Sequence, residues 1–210
     1  MWTFAIAVGA TFSLFASIHW QASRTPISVA FSFADAAFSA APEIEGRLGG
    51  PLTVSDIAAI KRISRAEIER AFAGLPIRVT DGPGFWRIRV IPTVITQSFN
   101  RRMRINAAGA SYGFGPLGGG GFVNFNTLAR NAARYAPPGA SRRQIVEGIA
   151  RGIGRSAVHE LAHMMVAGIP IDSRADVNAY EYNSADRASQ YYGELRWTSA
   201  WPVIQRKIGR

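Results

Sequence analysis

Between Ser141 and Val166 apolar residues recur at helical spacing, at Ile145, Ile149, Ile153, Val158, Leu161 and Met165, so the stretch reads as one long helix with an apolar side. Ser141-Arg142-Arg143-Gln144 has the form of a capping box, in which Ser accepts from the third backbone N–H and Gln returns to the cap, while Gly168 and Pro170 close the other end. Inside this helix stands His159-Glu160-Leu161-Ala162-His163. Histidines four apart project from one face one turn apart, so both imidazoles can reach one tetrahedral zinc ion, and the glutamate beside the first lies near the metal's open position. Gly148 and Gly152, also four apart, allow close approach of another element. Few arrangements satisfy a helix that must be packed along most of its length yet reached by substrate at its histidines.

The remaining composition narrows the chemistry. The chain has 210 residues, no cysteine and three histidines, which excludes a disulfide framework, a thiolate metal site and a thiol nucleophile. Two histidines stand in the helix and the third, His19, lies in an apolar N-terminal stretch, so a third protein ligand has to be a carboxylate. Asp172, Asp176, Glu181 and Asp186 are the downstream candidates. Each also has a purely structural use, Asp172 as a helix cap and Glu181 as a partner of Arg174 or Arg187. Glu160 is expected to act as general base and acid on a zinc-activated water. Lys and Arg number 24 against 14 Asp and Glu, and only Lys61 and Lys207 are lysines. The net charge of +10 therefore sits on arginine, which suits paired contacts within a fold as well as anions.

Residues 1–18 are uncharged and mostly apolar, long enough for a signal-peptide core or a short anchor, although Arg24 follows the segment instead of preceding it. Export, anchoring and burial all stay open, and localisation with them. Residues 1–42 are taken as this segment and a lead-in, the lead-in from Ile27 to Pro42 reading as a strand or irregular chain, and 43–210 as the main domain. There the spacing predicts a helix from Thr53 or Ser55 to Ala73, strands at Ile77–Thr80 and Trp86–Val94, and a basic cluster at Arg101, Arg102 and Arg104. A glycine-rich lip over 113–121, a strand over 122–126, a short helix at Leu128–Tyr135 and a helix from Arg174 to about Leu195 follow. Gly152 to Ala157 fits a dinucleotide pattern on paper, but mid-helix it has no strand before it.

His159 to Asp172, HELAHMMVAGIPID, resembles the zinc-binding run of the aspzincins, the deuterolysin-like metalloendopeptidases. Asn183-Ser184-Ala185-Asp186 with Tyr191 and Tyr192 is similar to that family's Asn-Ala-Asp segment and its aromatic follow-up. The resemblance implies that Asp172, nine residues after His163, completes the site, and that a strand at Gly121–Asn126 lines the substrate cleft. The Gly-Thr and Tyr-Gly that flank the family's aspartate are absent, so Tyr180 or Tyr182 would have to replace its oxyanion-stabilising tyrosine. Metzincin spacing fails, since Val166 and Ile169 occupy the required Gly and His/Asp positions; a loose gluzincin pattern would use Glu181 instead.

The expected fold is α+β and zincin-like, a small twisted sheet with an HExxH helix and a helical C-terminal part. The expected function is zinc-dependent hydrolysis of peptide bonds in a protein or peptide substrate, with His159, His163 and Asp172 on the metal and Glu160 beside it. Nucleic acid is not an expected partner, and a membrane would be reached through the N-terminal segment. The rival expectation is an Arg-rich domain binding nucleic acid or a membrane surface, with structural zinc or no metal.

Overall fold

The computed structural model describes residues 26–39, 42–97, 104–113 and 118–209. The apolar segment 1–18, His19, Arg101 and Arg102 lie outside them. The described strands are β1 (Ile27–Phe33), β2 (Ile77–Thr80), β3 (Trp86–Ile91), β4 (Val94–Gln97), β5 (Arg104–Ala107), β6 (Gly109–Gly113) and β7 (Gly119–Asn124). The helices are α1 (Pro42–Leu48), α2 (Val54–Ala71), α3 (Phe125–Tyr135), α4 (Arg142–Val166), α5 (Ser189–Tyr192) and α6 (Trp201–Ile208). Five strands form one sheet in the order β2-β1-β3-β7-β6. Its first four are mutually parallel, and β6 runs antiparallel to β7 along the edge. This is a mixed α and β fold with a mostly parallel sheet, within the α+β expectation. Strand β1 comes from the lead-in and lies between β2 and β3, so residues 27–33 belong to the same sheet as the strands that follow.

Alternation sets the two faces of the sheet. Val29, Phe31, Val79, Trp86, Ile88, Val90 and Val123 are buried on one of them, and α4 packs there against β3, β6 and β7, with α2 lying on α4. Helix α4 is more than an amphipathic helix: Gly148, Gly152, Gly154, Arg155 and Ser156 are buried along with its apolar residues, as befits a helix enclosed on nearly all sides. Its glycines make this enclosure feasible. A Cβ on Gly148 would sit 2.6 Å from the Tyr192 hydroxyl and one on Gly152 2.4 Å from the Tyr191 ring. One on Gly154 would sit 2.6 Å from the Ser64 carbonyl oxygen of α2. Gly154→Ala is thus expected to lower stability by about 1–2 kcal/mol in urea titration, because the overpacking cost outweighs the roughly 1 kcal/mol gained in helix propensity.

The predicted capping box of Ser141 with Gln144 is present on α4, and a second, Thr53 with Asp56, where the spacing predicts only a helix start, caps α2. Asp56 does more than cap. Its Oδ2 accepts from Arg142 at 2.6 Å, and the same guanidinium donates to the carbonyls of Leu48 and Pro51 at 2.6 Å each, joining the starts of both helices. Burial pushes the Asp56 carboxyl up, but donation from Arg142 and Thr53 outweighs it and holds the group below its ordinary value. A carboxylate depressed in the folded state stabilises above its unfolded pKa, about 3.9, and loses that contribution as pH falls through the folded value. Asp56→Ala is expected to cost about 1–2 kcal/mol at neutral pH, with the gap to the parent chain closing below about pH 3.9 when urea midpoints are compared across pH.

Beyond α4 the chain departs from expectation. No helix spans Arg174 to Leu195; only Ser189–Tyr192 is helical, and two isolated parallel bridges, Ser173 with Tyr182 and Ala179 with Arg196, organise the rest. Polar side chains there hold their own backbone. The Ala175, Asn178 and Asp186 amides donate to Ser173 Oγ, Asp176 Oδ1 and Ser184 Oγ respectively, and such local bonds compete with helix formation. Arg155 of α4, buried opposite Glu67, donates to the carbonyls of Ser189, Gln190 and Gly193. It ties the wrapped segment to the helix that carries the histidines. Among the described residues no helix is long and apolar enough to cross a membrane.

Candidate metal centre

Helix α4 presents His159 and His163 one turn apart, with their Nε2 atoms 3.2 Å from each other. After α4 the chain turns at Gly168, whose φ of +81° favours glycine, and Ile171 is buried as an anchor. This return places Asp172 Oδ1 3.1 Å from His163 Nε2 and 3.2 Å from His159 Nε2. The three atoms form a nearly equilateral triangle. Donors about 2.0–2.1 Å from one tetrahedral ion stand about 3.3–3.4 Å apart, so the triangle has the dimensions of one face of a zinc site. His159 Nδ1 lies 3.0 Å from the Tyr180 carbonyl, to which it donates when Nε2 is the free ligand atom. The two imidazoles hold the Asp172 carboxyl below its ordinary value, through hydrogen bonding from His159 first.

Glu160 is buried beside this triangle. Burial pushes its carboxyl above the ordinary value, opposed by the neighbouring imidazoles and a hydrogen bond from Ser111. Strand β6 supplies that serine and the space around it: a Cβ on Gly109 would lie 2.6 Å from Glu160 Oε1. The edge of the cleft is therefore β6 and not the strand at Gly121–Asn126. That strand is β7, next in from the edge, contrary to the expectation from sequence. Asn124, which ends β7 and caps α3, also donates from Nδ2 to Asn106 and to the Ala107 carbonyl, fixing the segment that leads into β6. The glycine-rich 113–121 stretch joins the end of β6 to the start of β7, with residues 114–117 outside the described chain.

The other candidates do not join this cluster. Glu181 is completely buried, and its Oε1 accepts from the Thr198 hydroxyl and from the amides of Thr198 and Ala200, holding the chain ahead of α6. Asp176 accepts from the Asn178 amide and Arg196, and Asp186 from Tyr135 at 2.9 Å. Among the described residues His159, His163 and Asp172 alone form a cluster that could hold a metal ion. Tyr180 reaches the site through its carbonyl, while its ring is buried against Trp197 and its hydroxyl engages Arg70. It is not the tyrosine of an oxyanion site. Tyr182 does line the cleft. Ser111 and Gly109 were invisible to motif reasoning, because a short strand of Gly, Ala, Ser and Tyr has no apolar alternation to mark it.

All four residues of the motif face a cleft of about 470 Å³, bounded by the approach to β6 on one side and by Tyr182 to Asp186 on the other. Three protein donors with an open side make a different arrangement from the closed four-ligand pattern of structural zinc. No family model matches this chain, and no curated protein or solved structure matches it either.

Proposed function

We propose that the protein is a zinc-dependent metallopeptidase of zincin-like architecture, similar to the aspzincin endopeptidases. The observation that carries this reading is the triangle of His159 Nε2, His163 Nε2 and Asp172 Oδ1, with edges of 3.1 to 3.2 Å, opening on the cleft that Glu160 lines. The donor set fits zinc: two neutral imidazoles and one carboxylate, with the outward nitrogen of His159 fixed by a backbone carbonyl. When bound, zinc supplies Lewis acidity that polarises a carbonyl and acidifies a water.

The chain's own groups do the rest. Glu160 takes a proton from the attacking water and returns it to the leaving amine, a role suited to a carboxyl whose proton affinity is raised by burial. Ser111 and the missing side chain at Gly109 hold that carboxyl in place. Among the described residues β6 ends the sheet, and its outer edge offers backbone groups along which an extended peptide can lie, the strand-addition mode of peptide recognition. Tyr182, which lines the same cleft, is the tyrosine this reading assigns to the developing oxyanion. Metal analysis paired with peptide-library digestion, with and without chelator, tests the reading. Chelator-sensitive cleavage in a zinc-bearing chain is the expected result, and a chain that holds no metal and cleaves nothing overturns it.

A further inference from the structure

The face of the sheet away from α4 carries a charge pattern that the cleft does not use. Strands β1, β2, β3, β6 and β7 contain no Asp or Glu. Alternation sends Arg78, Arg87 and Arg89 to this face, and all three are exposed. The register places Arg78 opposite Ser28, Arg87 opposite Ala30 and Arg89 opposite Ser32, so β1 runs between one arginine on β2 and two on β3. Strand spacing puts Arg87 and Arg89 about 7 Å apart and Arg78 about 12 Å from Arg87. Several arginines elsewhere are spent on internal contacts: Arg65 on Asp81, Arg142 on Asp56, Arg155 on backbone carbonyls, Arg196 on Asp176. None of the three face arginines makes an ion pair or hydrogen bond with a described residue. Tyr112 of β6 extends the face, 62% exposed and laid over Gly120, where a Cβ would lie 2.5 Å from its hydroxyl.

We propose that this face docks on an anionic bilayer surface. Charge complementarity supports it: three exposed guanidiniums without an acidic partner among the described residues are suited to phosphate and carboxylate headgroups, with a tyrosine of the kind enriched at membrane interfaces alongside. The chain outside the described residues supports it too. The uncharged apolar stretch 1–18 leads into β1, the strand that runs through the middle of the arginine patch. An apolar segment and a basic patch reinforce each other at an anionic membrane surface. In this pose the helices lie on the side of the sheet away from the lipid.

The absence of cysteine makes the test direct. Ser32→Cys on the arginine face and Glu69→Cys on α2 are each labelled in the full chain with an environment-sensitive dye. They are then mixed with vesicles of phosphatidylcholine alone or with added phosphatidylserine. The Ser32 label is expected to respond to phosphatidylserine vesicles and the Glu69 label to stay silent, with the response lost at high salt. Arg78→Gln, Arg87→Gln and Arg89→Gln should each weaken partitioning roughly fivefold, and all three together about a hundredfold, while helix content and zinc content stay at the parent level. Equal response at both labels, equal response to both vesicle types, or full binding by the triple variant would overturn the proposal. A single-stranded oligonucleotide that moves the Ser32 label where phosphatidylserine vesicles do not would overturn it as well, and assign the face to nucleic acid.

Discussion

Glu160→Gln is expected to lower kcat/KM for peptide hydrolysis by roughly 10²–10⁴-fold or more while leaving zinc content unchanged. The amide is nearly isosteric with the carboxylate, so it fits the space that Gly109 leaves open and keeps its place beside Ser111. It cannot accept a proton from water. The same change removes a buried group whose charged form burial disfavours, so thermal stability should be equal to or above that of the parent chain. This combination separates a proton-transfer role from a structural one, since a framework residue would lose stability along with activity. Peptidase assays, metal analysis and melting curves on one preparation provide the check. Hydrolysis retained at the parent rate would remove Glu160 from the mechanism.

Where local chemistry decided the structure, the sequence was a good guide. The Ser141 capping box starts its helix where the sequence places it, and α2 begins after Thr53 as its spacing predicted, because a side chain that satisfies an orphan amide acts within one turn. The HELAH spacing brings the two imidazole Nε2 atoms together for the same reason, and Gly148 and Gly152 receive the rings of Tyr192 and Tyr191. Longer-range features were hidden. Strand β6 takes its meaning from Glu160, some fifty residues on, and its Gly-Ala-Ser-Tyr-Gly composition reflects that contact in place of a hydrophobic face. The segment after Gly168 misled for another reason. Its Ser, Asp and Asn side chains bond to nearby amides, and Arg155 and Arg187 occupy its carbonyls, so hydrogen bonding overrides any helical periodicity. Buried arginines look on paper like surface charge, and no spacing rule reveals that Arg155 is a brace.

The proposed third ligand, Asp172, separates metal binding from folding most sharply. Asp172 is 45% exposed, and among the described residues its carboxylate pairs with the two imidazoles alone. Asp172→Ala should therefore change the metal-free stability by less than about 1 kcal/mol. Its zinc affinity should nevertheless fall further than the 10–100-fold typical of outer-shell changes. Glu181→Ala should do the reverse. It leaves the buried amides of Thr198 and Ala200 without their acceptor, at a cost of about 2–3 kcal/mol or more, while the triangle keeps its donors and zinc remains stoichiometric. Melting with and without the ion makes the contrast quantitative: zinc at a hundred times its dissociation constant should add about 2.7 kcal/mol to the parent chain and to Glu181→Ala. It should add almost nothing to Asp172→Ala. A chelator should bring the parent down to the Asp172→Ala value and leave that variant where it was. Loss of zinc from Glu181→Ala with retention by Asp172→Ala would transfer the ligand role to Glu181, and would require the segment after Gly168 to rearrange so that a carboxylate now turned toward Thr198 could reach the histidines.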